Sequence, residues 1–190
     1  MCEVTVTDIQ HKIFTIFKEV DSVCKKNNIR YYAIGGTCLG AVRHKGFIPW
    51  DDDLDIAMPR KDYEKFISIA ERDLPENLRL LGGTEIRQYE CLFIKVHDVN
   101  TTFIHRNYES CVERYSGVYI DIMPLDGLSE NRFVRSINFA RLRVLARLNA
   151  NHRFGVDFYH TGFRLLLWKI VDIYMKRKPY DFFSKKREKI

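Results

Sequence analysis

The sequence predicts an α+β fold: a small mixed β-sheet flanked by helices, followed by a basic helical appendage. Three observations point to it. Apolar residues near the start of the chain recur at helical spacing. From residue 30 to 122, short apolar runs alternate with turn residues, as strands do. After Asn131 the texture changes to long basic stretches with helical periodicity.

Thr7-Asp8-Ile9-Gln10 fits a capping box, with Thr7 as N-cap and Gln10 three residues on. Ile9, Ile13, Ile16, Phe17, Val20 and Val23 then form one helical face, which should end near Asn27 and Asn28. Arg30 to Ile34 predicts a short strand running into Gly35-Gly36, followed by a helix from Thr37 to about His44. A loop holds Gly46 and Pro49. Leu54 to Met58 predicts a second strand, which Pro59 closes. The next helix runs from Arg60 to about Asp73, with Tyr63, Phe66, Ile67 and Ala70 as its apolar face. Leu78 to Leu81, Cys91 to His97, Thr101 to His105 and Gly117 to Ile122 are further candidate strands. Turn signals stand at Gly82-Gly83 and at Asp98 to Asn100. Phe133 to about Leu148 and Phe163 to about Met175 predict two amphipathic basic helices around a loop at Gly155. The chain thus divides into a core, 1–130, and an appendage, 131–190. No internal repeat or low-complexity segment interrupts it.

The 190 residues are 46% hydrophobic, enough to bury a core and to exclude a disordered chain. The five cysteines are scattered, with no CxxC pair, which argues against a disulfide framework or zinc site and for a reducing compartment. MCEVTVTDIQHK lacks the basic and apolar regions of a signal peptide, and no apolar run approaches the roughly 20 residues that span a bilayer. The expectation is a cytoplasmic protein. Its net charge of +6 hides an asymmetry: residues 1–131 carry −5 and residues 132–190 carry +11. Such a basic end suits nucleic acid, an anionic membrane surface or a polyanionic substrate, and equally an ordinary solvated face.

The chemistry concentrates in GGTCLGAVRHKGFIPWDDDLDI, residues 35 to 56. Side chains alternate faces along a strand, so Asp53 and Asp55 share one face about 7 Å apart, while Leu54 and Ile56 take the other. Two carboxylates held this close repel unless one is protonated or a cation binds between them. Hard oxygen ligands suit Mg²⁺ or Mn²⁺, and magnesium takes one or two protein carboxylates plus substrate phosphate oxygens. Gly35 and Gly36, placed between a strand and a helix, let backbone approach such a phosphate. Thr37 is a candidate helix cap or hydroxyl donor, and Arg43 and Lys45 are candidate phosphate clamps. Asp51 and Asp52 fit loop hydrogen bonding or orientation of a ligand. Trp50 is expected to pack beneath the loop rather than stack on a base. Cys38 is expected to behave as a small hydrophobe rather than a nucleophile. Lys95 and His97 share a strand face; Lys95 is a candidate for contact with phosphate or the acids, or for a structural ion pair. His105, His152 and His160 lack metal-site spacing.

Ile34-Gly35-Gly36 followed by Asp53-Leu54-Asp55-Ile56 resembles the hG[GS]…Dh[DE]h pattern of the nucleotidyltransferase superfamily, the fold of DNA polymerase β. GGTCLGAVRHKGFIPWDDDLDIAMPRKDYEKF is similar, nearly word for word, to the signature of the LicD family, which includes bacterial phosphocholine transferases and is related to the fukutin proteins. Weaker likeness continues through FIKVHDVNTTFI and GVYIDIMPLDGL, covering roughly residues 25 to 130. The resemblance implies a polymerase-β-like fold and supplies a third acid, Asp121, in the form h[DE]h on a late strand. Asp126, after Pro124, is expected to be a turn residue capping the next element.

The resemblance further implies a phosphoryl-group transferase. Its donor would be CDP-activated, such as CDP-choline, and its acceptor a hydroxyl of a cell-surface or lipid-linked glycan precursor. Asp53, Asp55 and Asp121 would hold Mg²⁺ or Mn²⁺, with Asp121 also drawing the proton from the acceptor. Gly35, Gly36, Thr37, Arg43, Lys45 and Lys95 would bind nucleotide and phosphate. The basic end would meet anionic lipid at the inner face of the membrane. Family members run longer than this chain, so the appendage is expected to be truncated. Three rivals remain at this point: a DxD glycosyltransferase using a nucleotide sugar, a catalytically silent scaffold, and a nucleic-acid-binding role. The first usually places its DxD after a longer nucleotide-binding half. The second leaves three mutually repelling acids without a purpose. The third lacks the interleaved aromatic and basic residues of single-strand binders, so nucleic acid is not expected as a partner.

Overall fold

In the computed structural model, helix α1 covers Val6–Lys26, and Thr5 rather than Thr7 is its cap. The Thr5 backbone N–H donates to Asp8 Oδ2 at 2.9 Å, and the Asp8 N–H donates to Thr5 Oγ1 at 3.2 Å. The chain offers two overlapping Thr-x-x-acceptor frames. The one closed by a charged carboxylate at the positive helix end prevails. Gln10 is thereby left to reach the loop at Ile48 and Asp51. The structure describes residues 4–81, 93–103 and 117–154, together with positions 169 and 173.

These residues form an α+β structure with a five-stranded mixed sheet and four helices. Strand β1 is Tyr32–Ala33, helix α2 Gly35–Arg43, strand β2 Asp55–Pro59, helix α3 Arg60–Asp73, strand β3 Leu78–Leu81, strand β4 Ile94–Asp98, strand β5 Tyr119–Leu125 and helix α4 Arg132–Phe154. The sheet order is β1-β2-β5-β4-β3. Only β2 and β5 run parallel; the other neighbours are antiparallel.

Several expected elements shift. The strand expected over Arg30 to Ile34 shrinks to two residues, because the chain turns into α2 at Gly35 with φ of +52°. The glycine pair therefore lies inside the first turn of α2 rather than ahead of it. The strand beginning at Leu54 starts one residue later. Thr101 to Phe103 is not a strand: Thr101 Oγ1 donates to Asp98 O at 2.8 Å and accepts from Val118 N–H at 2.8 Å, fixing a turn instead. The rest of that expected strand, Gly82-Gly83, Cys91, the Gly155 loop and nearly all of 163–175 lie outside the described residues.

The chain divides into two compact units: one of residues 1–86 with 93–126, and one of 87–92 with 127–190. In the first unit, one sheet face presents Ile56, Met58, Ile94, Val96, Ile120 and Ile122 to a core completed by Ile13, Ile16 and Val20 of α1 and Phe66 and Ala70 of α3. Asp98 joins this buried side, where Lys12 Nζ lies 2.5 Å from its Oδ2 and Asn77 Nδ2 donates to it at 3.1 Å. The opposite face carries Asp55, Lys95, Tyr119 and Asp121, since strand side chains alternate. In the second unit, Asn131 Oδ1 accepts from Phe133 and Val134 N–H at 2.9 and 3.3 Å and so caps α4. Among the described residues, no helix is long and apolar enough to cross a membrane.

Candidate active site

The acids gather because three strands meet in register. Asp55 on β2 lies beside Asp121 on β5, and Asp121 lies opposite Lys95 on β4. Asp121 N–H donates to Leu54 O at 3.0 Å, extending the pairing one residue below β2 and tying the Asp53–Asp55 segment to β5. Lys95 Nζ lies 2.5 Å from Asp121 Oδ1. The sheet face thus carries a row of carboxylate, carboxylate and ammonium, with Asp53 on the approach to it.

Helix α2 meets this row with its N-terminus. Ile34 N–H donates to Asp55 O at 3.2 Å, and Asp55 N–H donates to Thr37 Oγ1 at 2.8 Å. Thr37 therefore does not cap its helix; it fastens the first turn to β2. The cap position is Ile34, whose side chain makes no cap hydrogen bond. Gly35 needs its positive φ, and a Cβ there would stand 3.4 Å from Asp55 Oδ2. At Gly36 a Cβ would lie 2.7 Å from Asp51 Oδ2. The glycine pair lets backbone amides approach two carboxylates, at the positive end of a helix dipole.

Asp51 belongs to the site more directly than its loop position suggested. Its carboxylate is close enough to Asp53 to raise that group's pKa, and Gln10 Nε2 braces its backbone by donating to Asp51 O at 2.7 Å and Ile48 O at 3.1 Å. Its shared parity with Asp53 was the available signal. Partial burial and the charges of Asp55, Asp51 and Asp52 push the Asp53 carboxyl up to about 6. Burial and Asp121 also raise Asp55, against the opposing Lys95. Burial raises Asp121 too, again with Lys95 opposing. The charges that act on Asp53 are those of Asp55, Asp51 and Asp52, and each favours its protonated form, as burial does.

That imbalance fits a divalent cation held by Asp53 and Asp55, in the two-carboxylate manner of magnesium. Among the described residues, however, no three Asp, Glu, His or Cys side chains converge as a ready-made ligand set. The Asp121 oxygen faces Lys95 instead.

The remaining candidates lie elsewhere. Arg43 ends α2, about 12 Å along the helix from Gly35 by its rise per residue, and its Nε donates to His44 Nδ1 at 3.4 Å. Lys45, in a left-handed conformation with φ of +61°, lines a cavity of about 660 Å³ between α1, α2 and the β2 side that carries Leu54 and Ile56. That cavity also takes in Phe14, Phe17, Tyr31 and Phe47 and reaches Gly36, Thr37 and Asp51. Trp50 does not pack beneath the loop: it is 74% exposed, edge-on to His44. The loop it leaves is already held from below by Gln10. Cys38 is exposed on α2 rather than packed as a hydrophobe. Asp126 does not cap α4 but receives Arg60 through two hydrogen bonds, Nε to Oδ1 at 2.7 Å and a terminal nitrogen to Oδ2 at 2.5 Å. A paired guanidinium outcompetes a backbone amide for that carboxylate.

The family profile described as LicD/FKTN/FKRP, nucleotidyltransferase domain, matches residues 28–141, which is more than half of the chain. The chain belongs to this LicD family. A lipopolysaccharide cholinephosphotransferase LicD of Haemophilus influenzae is 32% identical over 152 residues, covering 79% of this chain and 56% of that protein. An uncharacterized protein of Rickettsia prowazekii is 48% identical over 121 residues, covering 64% of this chain and 41% of its own length. One from Rickettsia typhi is 40% identical over 106 residues, covering 51% of this chain and 32% of its own. The chain thus spans about half the length, or less, of the curated relatives it matches. The LicD match contains the whole acid row, from the glycine pair through Lys95 to Asp121.

Proposed function

We propose that this chain carries the catalytic core of a transferase. It would move a substituted phosphate, phosphocholine first among them, from a CDP-activated donor to a hydroxyl of a cell-surface glycan precursor. The observation that carries this reading is the cross-strand row of Asp55, Asp121 and Lys95, with Asp53 beside it and the α2 N-terminus against it. The likeness to a lipopolysaccharide cholinephosphotransferase supports the choice of head group and acceptor.

In this reading the first-turn amides of α2 seat the donor diphosphate, and Gly35 and Gly36 permit the approach. Asp53 and Asp55 would hold Mg²⁺ or Mn²⁺, which would neutralise charge on the diphosphate. Asp121 orients the acceptor hydroxyl and takes its proton. The hydroxyl oxygen forms a bond to the phosphorus that bears the alcohol, the bond from that phosphorus to the bridging oxygen breaks, and CMP leaves with the electron pair. The basic segment 132–190 brings the core to a phosphate-rich, lipid-linked acceptor at an anionic membrane surface.

Isothermal titration of CDP-choline, CDP-ribitol, CTP and UDP-glucose with Mn²⁺ tests the reading, on the wild type and on Asp53→Asn/Asp55→Asn. Metal-dependent binding of a CDP-alcohol, lost in the double variant, is expected. Preference for UDP-glucose would replace the reading with a glycosyltransferase.

A further inference from the structure

A cation is already built into the acid-bearing face of the sheet. Lys95 is 9% exposed, on the interior strand β4. Its Nζ lies 2.5 Å from Asp121 Oδ1, 3.6 Å from the centroid of the Tyr119 ring and 5.4 Å from that of Phe93. An ammonium this buried is costly unless its charge is met. Here one carboxylate and two aromatic faces meet it, and they leave the side chain little freedom to swing. It is a fixed charge rather than a mobile phosphate-seeking arm.

The position of that charge has consequences. Asp121 stands between Asp55 on one side and Lys95 on the other. Its oxygen is committed to Lys95, and among the described residues the acids do not converge as a three-ligand set. Among those same residues, Asp53 and Asp55 have no comparable hydrogen-bonded partner of opposite charge. The Asp55 backbone N–H is spent on Thr37, and the charges that act on Asp53 are those of other carboxylates. A divalent ion on these two carboxylates balances them. A second one at Asp121 would have to displace Lys95 and then face its positive charge within a few ångströms, where repulsion is strong.

We propose that Lys95 is a positioning residue acting as the fixed second cation of the site. A single divalent ion sits on Asp53 and Asp55, and Lys95 keeps Asp121 out of its coordination and available to the incoming hydroxyl. This rests on the reading that the acid row binds a divalent ion, but not on the identity of donor or acceptor.

The test is titration of Mn²⁺ alone into the full chain, read by loss of the free-ion electron paramagnetic resonance signal. The wild type should bind one ion. Asp55→Asn should weaken binding at least about tenfold. Lys95→Met, which removes a nearby positive charge, should tighten binding on the order of tenfold. Removing the ion pair as a unit, in Lys95→Met/Asp121→Asn, should leave affinity within about threefold of the wild type, since no net charge and no ligand is lost. Two ions per wild-type chain would overturn this proposal while leaving the metal site standing. So would weakened binding in Lys95→Met, or a double variant as impaired as Asp55→Asn. No bound ion in the wild type would overturn the metal site and this proposal together. The wild-type stoichiometry needs no variant to fold.

Discussion

Asp53 shows how one side chain reports the chemistry of the whole site. Its carboxyl is raised to about 6 by burial and by the charges of Asp55, Asp51 and Asp52. A folded-state value above the ordinary one means that the folded protein holds this proton more tightly than the unfolded chain does. The contribution to stability is therefore fully present below about pH 4 and is lost as the pH rises through about 6. A bound divalent ion has the opposite preference, because it requires the ionised carboxylate. Mn²⁺ affinity should accordingly fall by about tenfold between pH 7 and pH 5, as one proton competes with one ion. The rise in melting temperature on adding Mn²⁺ should be larger at pH 7.5 than at pH 5. Differential scanning calorimetry with and without the ion measures both, and equal shifts at the two pH values would contradict the assignment of Asp53 as a ligand.

At the scale of elements, α2 and the loop behind it position the acids jointly. Gly40 is buried in α2, and a Cβ there would come within 2.6 Å of Gly46 O and 3.1 Å of Ile48 N. Both neighbours are backbone, so neither can swing aside. Gly40→Ala should lift the helix from the loop and cost about 1–3 kcal/mol, as overpacking does, measured by urea unfolding. It should also weaken Mn²⁺ binding, because the Ile48 and Asp51 carbonyls share the amide of Gln10. Gly36→Ala makes an informative contrast. The atoms nearest its Cβ would all belong to the Asp51 side chain, so stability should fall less than for Gly40→Ala while the acid cluster is disturbed directly. Equal stability loss in the two variants would mean that the loop, not the carboxylate, is what Gly36 accommodates.

At the scale of the whole molecule, the acid face depends on a core on the other side of the same sheet. Phe66 of α3 is fully buried against strand residues that alternate with Asp55, Lys95 and Asp121. Phe66→Ala should cost about 3–5 kcal/mol, by lost transfer energy and the cavity left behind. Chemical denaturation measures it, and a loss below about 1 kcal/mol would show that this part of the core collapses without penalty. The strand alternation that buries Ile56 and Ile122 in the core is what turns Asp55 and Asp121 to the opposite face. Burial and chemistry in this sheet are thus two faces of one period.

Local pattern was enough for the α+β class, the helix from Arg60 to Asp73 and the strand from Leu78 to Leu81. These rest on periodicity and turn chemistry, which act over a few residues. It took the assembled sheet to settle that Thr37 ties α2 to Asp55 instead of capping its helix, and that Gln10 braces the acid loop 41 residues away. The same holds for Asp126, which belongs to Arg60, and for Lys95, which faces Asp121 26 residues on. In each case more than one partner was open to the side chain. The choice was made by which strands lie side by side, and strand order is a property of the folded sheet that no local pattern encodes.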